Sequence, residues 1–92
     1  MVEWDPYKAK QNLAKHKVSF EEAETALLDP LAKTAPDPDH SSDEHRFITF
    51  GVSAKQRLLL VSLTWRGDVI RIISARPTTP QERRFYEKGR RS

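Results

Sequence analysis

Residues 57–76 narrow the fold more than any other stretch of this chain. Leu58-Leu-Leu-Val61 is apolar at both strand parities, which predicts a central strand over Arg57–Trp65. Arg66-Gly67-Asp68 suits a tight hairpin turn, after which the β-branched Val69, Ile70, Ile72 and Ile73 predict an antiparallel return to Arg76. Thr79-Pro-Gln-Glu82 follows at once as a helix start: Thr79 caps, Pro80 has a suitable φ, and Glu82 stands at the capping-box position. A strand that turns directly into an arginine-bearing helix concentrates positive charge at one corner. Arg71, Arg76, Arg83 and Arg84 all fall there.

Upstream, Asp5-Pro6 opens a helix to about Lys15 or His16, with Tyr7, Asn12, Leu13 and Ala14 as a weak amphipathic stripe. Ser19 and Glu22 start a second helix, whose Phe20, Ala23, Ala26 and Leu27 recur at helical spacing until Asp29-Pro30. The two helices read as a hairpin. Leu31–Ala35 predicts a short edge strand bounded by prolines, and residues 35–44 an acidic loop. Arg46–Val52 alternates as a strand, and Ser53–Gln56 is the turn out of it. The expected fold class is α+β: an N-terminal helical hairpin, an antiparallel sheet of about four strands with the helices on one face, and a C-terminal helix, in two layers. Residues 1–92 form one domain, with 89–92 as a fraying tail.

Charge is divided unevenly. Residues 1–45 hold five Lys and ten acids, a net of −5, whereas residues 46–92 hold eleven Lys or Arg and three acids, a net of +8. A basic half of this kind suits a nucleic-acid partner, and the competing reading is that the halves neutralise each other across the fold. With no cysteine, disulfides and thiolate chemistry drop out, and a reducing compartment is unopposed. Met1-Val-Glu-Trp-Asp-Pro6 is too polar for a signal peptide, and no apolar run approaches the roughly 20 residues of a membrane span. The expectation is a cytoplasmic protein with no membrane contact.

The ordered set Glu3-Trp-Asp-Pro6, Asn12-Leu-Ala-Lys-His16, Val18-Ser-Phe-Glu-Glu-Ala23, Asp29-Pro-Leu31, Glu44-His-Arg-Phe47, Arg71-Ile-Ile-Ser-Ala-Arg76 and Glu82-Arg-Arg-Phe-Tyr86 resembles the BrnT family from Glu3 to Glu87. That resemblance implies a toxin of a type II toxin–antitoxin pair: a ribonuclease of RelE-like fold that blocks translation and is neutralised by a BrnA antitoxin. It also implies that DNA is reached only through the antitoxin complex. The chain departs from the family at Lys17, where glycine is usual, at Pro77 and Pro80 around the last helix start, and at His45, where an acid commonly precedes Arg46.

Ribonucleases of that fold generally need no metal or other cofactor. The ribose 2′-OH attacks the adjacent phosphate, cations stabilise the developing charge, and a base and an acid move the protons. Arg71 and Arg76 are the candidate phosphate clamps, since a guanidinium matches phosphate bidentately. Their parities in a regular strand are opposite, so a shared site requires a twist or bulge near Ser74, or Arg76 already in the turn. The competing reading pairs each with Glu82 or Asp68. His40 and His45 are candidate acids or bases, against the more common reading of a lone histidine as structural or merely exposed, and Glu44 is a candidate base, against a solvated carboxylate. Tyr86 is a further catalytic candidate, which either faces the cleft and contacts the scissile region or packs on the sheet. Arg46, Arg57, Arg66, Arg83 and Lys15 complete the RNA-binding candidates. The histidines lack the close pairing of a metal site. An alternative function is a non-catalytic RNA-binding or protein-interaction module using the same basic surface.

Overall fold

Both faces of the central strand are covered, and that decides the architecture. In the computed structural model, which describes residues 1–40 and 45–90, the order is β1 (Val2–Trp4), α1 (Pro6–His16), α2 (Phe20–Leu27), β2 (Lys33–Pro36), a 3-10 turn (Pro38–His40), β3 (Arg46–Val52), β4 (Leu58–Arg66), β5 (Val69–Pro77) and α3 (Pro80–Arg90). The sheet runs β1-β5-β4-β3-β2. Every pair is antiparallel except β1 with β5, which is parallel. The expected four antiparallel strands are thus five strands in a mixed sheet. The additional one comes from Val2–Trp4, whose pairing with Ile70–Ile72 crosses almost the whole chain and leaves no hairpin signal in the sequence.

Odd-numbered residues of β4 face α1 and α2. Leu59 and Val61, with Ile72 and Ala75 of β5, pack against Val18, Phe20, Ala23 and Ala26. On the other face Leu58 and Leu60 join Phe50 and Tyr86 of α3. The molecule therefore has three layers instead of the expected two, with α3 opposite the first two helices. Apolar residues at both parities of Leu58–Val61 require this, since each face must be shielded from water. The C-terminal helix also continues through Gly89 to Arg90, beyond the expected fraying point, and Arg91 and Ser92 lie outside the described residues.

The first two helices lie side by side on the sheet more than on each other, so the hairpin is a corner. Lys17 makes it, at φ 61° and ψ 30°, the left-handed conformation in which its N–H reaches the Leu13 carbonyl. A lysine there costs about 1 kcal/mol relative to glycine. Asn12 fastens the corner: its amide donates to Val18 O and Ala75 O at 2.9 and 2.8 Å and accepts from the Ala75 N–H at 3.1 Å. The stripe expected around it is otherwise exposed at Tyr7, Leu13 and Ala14, because the buried face centres on Ala9 and Asn12.

The end of α2 presses directly on β3. A Cβ added at Gly51 would stand 2.2 Å from the Ala26 carbonyl oxygen, a backbone atom that cannot swing aside. Gly51→Ala is expected to destabilise the domain by about 1–3 kcal/mol through overpacking. A denaturant midpoint equal to wild type would show that α2 does not sit this close to β3.

Candidate nucleic-acid interface

The face under α3 changes character along β4. Leu58 and Leu60 are covered by the helix, while Ser62 and Thr64 continue the same face beyond its reach. Pairing partners form rows across it: Arg76–Leu60–Phe50, then Ser74–Ser62–Ile48, then Glu3–Arg71–Thr64–Arg46. A floor of small hydroxylated side chains thus lies between two arginine-bearing rows.

Arg71 and Arg76 share this face because β5 carries a bulge. The pairing passes from Ser62–Ser74 to Leu63–Ile72, which leaves Ile73 as an extra residue. One inserted residue restores the parity that a regular strand would have broken. The two arginines nevertheless oppose Leu60 and Thr64, four strand steps or about 13 Å apart. Arg71 donates to Glu3 Oε2 at 2.7 Å, toward β1. Arg76 forks onto both oxygens of Glu82 at 2.9 Å, toward α3. The separation fits different phosphates along a strand better than one phosphate held by both.

Glu82 has two duties. Its Oε1 accepts the Thr79 N–H at 2.9 Å while the Thr79 hydroxyl accepts the Glu82 N–H at 3.2 Å, a complete capping box. The Arg76 guanidinium holds the Glu82 carboxyl below the ordinary carboxylate range, and Glu82 in turn raises the Arg76 pKa. Both are charged at neutral pH. The cleft beside them, about 230 Å³, is lined by Arg46, Arg76, Ser62, Ser74, Asp39 and Glu82 among others. Arg46 and Arg76 are therefore the arginines that the fold brings to one depression.

The remaining candidates scatter. Arg66 is exposed at the hairpin end, where Gly67 takes φ 64°. Arg83 is exposed on α3, 3.7 Å from Glu87, and such a surface pair contributes little. Lys15 is exposed on α1, beside Lys8 and His16 in a shallow depression over Ile73 and Ser74. Arg57 belongs to the fold: its Nε donates to Glu22 Oε2 and its Nη2 to Lys17 O, each at 2.9 Å. Tyr86 is 2% exposed, and its hydroxyl donates to Asp29 Oδ2 at 2.6 Å. Of its two readings, the packed one describes this geometry. His45 is exposed at the start of β3, and its carbonyl accepts the Trp65 N–H at 3.3 Å. His40 closes the 3-10 turn. Its side chain, like the whole of Glu44, lies outside the described residues.

Sequence reasoning missed the floor residues Ser62 and Ser74. The available signal was Ser62 itself, where the apolar run of the central strand gives way to polar residues on the α3 face.

Sheet, helices and arginine-bearing open face together define a small α+β domain of three helices on a mixed five-stranded sheet. The fold is similar to the 1.1 Å crystal structure of the Brucella abortus ribonuclease toxin BrnT, with a TM-score of 0.66 and 24% identity over 86% of this chain and 99% of that one. No curated protein matches significantly. The family of the ribonuclease toxin BrnT, of type II toxin–antitoxin systems, matches residues 4–82, and this chain belongs to it.

Proposed function

We propose that this toxin is an endoribonuclease that needs no metal, cleaves RNA on the open half of the sheet, and so inhibits translation in the cytoplasm. The observation that carries the reading is the Ile73 bulge, which turns Arg71 onto the face that holds Arg76 and Arg46. An RNA strand laid over Ser62 and Ser74 would meet cations at both ends of that floor. The 2′-OH attacks the neighbouring phosphorus, the bond to the 5′-oxygen breaks, and a cyclic phosphate and a free 5′-OH result. Arg76 and Arg46 stabilise the charge that gathers on the phosphoryl oxygens. Arg71 and Arg66 hold flanking phosphates, with Arg83 and Lys15 as outlying contacts. His45, with His40 and Glu44, are the candidates for moving protons.

The antitoxin in this reading is BrnA-like and covers the same face, setting carboxylates against Arg71, Arg76 and Arg83. RNA and antitoxin then exclude one another, and DNA is contacted only by the assembled pair. Charge matching favours fast association, and each buried guanidinium needs a partner.

Incubating the purified chain with RNA in EDTA tests the reading, and cleavage is expected to persist. Tight binding without cleavage would instead favour a non-catalytic RNA-binding module. Three or four phosphate contacts predict that affinity for a single strand falls about 20- to 50-fold between roughly 50 and 200 mM salt. Affinity that ignores salt over that range counts against a phosphate-reading surface altogether.

A further inference from the structure

Next to the arginine cleft lies a second depression of different chemistry. It is larger, about 610 Å³, within the roughly 300–1,000 Å³ of small-ligand clefts, and is lined by Ile48, Phe50, Phe85, Pro38, Thr79 and Gln81 among others. The two depressions meet at Pro38, Ile48 and Glu82, so one continuous groove runs from charged to apolar ground. Phe85 is 49% exposed, an unusual position for a large ring on a helix that otherwise packs inward through Tyr86. It also has two close partners. Phe50 meets it edge-on at 5.3 Å, and Lys33 stands over the ring at 4.5 Å while donating to the Phe85 carbonyl at 2.8 Å.

We infer that this groove is a nucleobase subsite, in which Phe85 is the stacking platform and Gln81 reads the base edge. The proposal rests on the ribonuclease reading above and adds where base preference would arise. A phosphate at Arg76 has its own nucleoside attached, and the apolar groove is the neighbouring surface able to accept an unstacked base. Stacking on an aromatic ring accepts any base, because every base has a π-face. Discrimination then needs a group with both a donor and an acceptor, which the Gln81 amide supplies from the first turn of α3. The adjoining cleft sets Arg46 and Arg76 beside Asp37, Asp39 and Glu82, and RNA is the occupant because the ribonuclease reading puts a phosphate at Arg76.

The test uses a short RNA blocked by 2′-O-methyl groups and the same strand with abasic ribose at each position in turn. Wild type is expected to bind the base-bearing strand at least tenfold more tightly than the strand lacking the base at one particular position. Phe85→Ala should lose that difference and leave affinity for the abasic strand unchanged. Phe85→Leu, which keeps an apolar side chain against Phe50, should lose it as well and guards against a folding artefact. Gln81→Ala should reorder the preference among the four bases at that position. Equal wild-type affinity for base-bearing and abasic strands overturns the proposal and leaves the groove to an apolar side chain of the antitoxin. Equal losses on both strands in the Phe85 variants overturn it too. A wild-type chain that neither binds nor cleaves RNA instead removes the ribonuclease reading, and the subsite with it.

Discussion

Replacing Arg76 with alanine is expected to lower the rate of RNA cleavage by about 10²- to 10³-fold, the usual loss when one charge-stabilising donor is removed from a reacting centre. The fold should survive. Arg76 is about one-third exposed (38%) and Glu82 keeps the Thr79 N–H as a partner, so the released carboxylate can hydrate. A stability loss of no more than about 1 kcal/mol is therefore expected. Glu82→Gln separates positioning from charge stabilisation. Glutamine can still accept the capping bond, but it no longer anchors the guanidinium as an ion pair. Its effect on cleavage should be smaller than that of Arg76→Ala. The measurement is single-turnover cleavage beside a thermal melt of each variant. Wild-type cleavage by a folded Arg76→Ala protein would move the reacting centre elsewhere, most directly to Arg71.

The second large effect is on stability. Glu22 has a side chain 2% exposed, accepts from Ser53 Oγ at 2.6 Å, and pairs with the Arg57 guanidinium through two hydrogen bonds. Those contacts tie α2 to the β3–β4 turn, and Arg57 reaches on to the Lys17 carbonyl at the α1–α2 corner. Glu22→Ala strands the Ser53 hydroxyl and the inner part of the guanidinium. The expected cost is about 2–3 kcal/mol, below the 3–5 of a fully buried pair because Arg57 is partly solvated. For a domain of this size, that corresponds to roughly 10–20 °C of melting temperature.

The same pair sets a pH dependence. Hydrogen bonding to Arg57 lowers the Glu22 carboxyl pKa below its ordinary 4.5 despite burial. In the unfolded chain the group therefore takes up its proton at higher pH than in the native state. The pair's contribution is fully present above about pH 4.5 and is lost as pH falls through the depressed native value. Glu82, lowered by Arg76, acts in the same direction. Denaturant midpoints should fall on acidification below that point, and Glu22→Gln should flatten the decline. An unaltered pH profile in the Glu22→Gln variant would mean that the carboxylate is not held ionised by Arg57.

Local signals in the sequence determined most of the elements. Asp5, Ser19 and Thr79 cap three helices through bonds to N–H groups two or three residues away. Gly67 turns the β4–β5 hairpin with the positive φ that glycine tolerates. Alternation placed β3 at Arg46–Val52, and the doubly apolar run placed β4 in the middle of the sheet. Each of these depends on atoms within a few residues of one another, so the sequence alone suffices. Tertiary structure decided the rest. The parallel pairing of β1 with β5 depends on which sheet edge remains open once the hairpins have formed. Leu58 and Leu60 demanded a cover, but only packing chose α3 to supply it. Ile73 looks like any strand residue, yet pairing across to β4 makes it the extra one and so sets the faces of Arg71 and Arg76. Long charged side chains are the least legible of all, because an arginine commits to a partner only after packing. Arg57 found a buried glutamate 35 residues away, Arg76 the cap of the next helix, and Arg71 the opposite end of the chain.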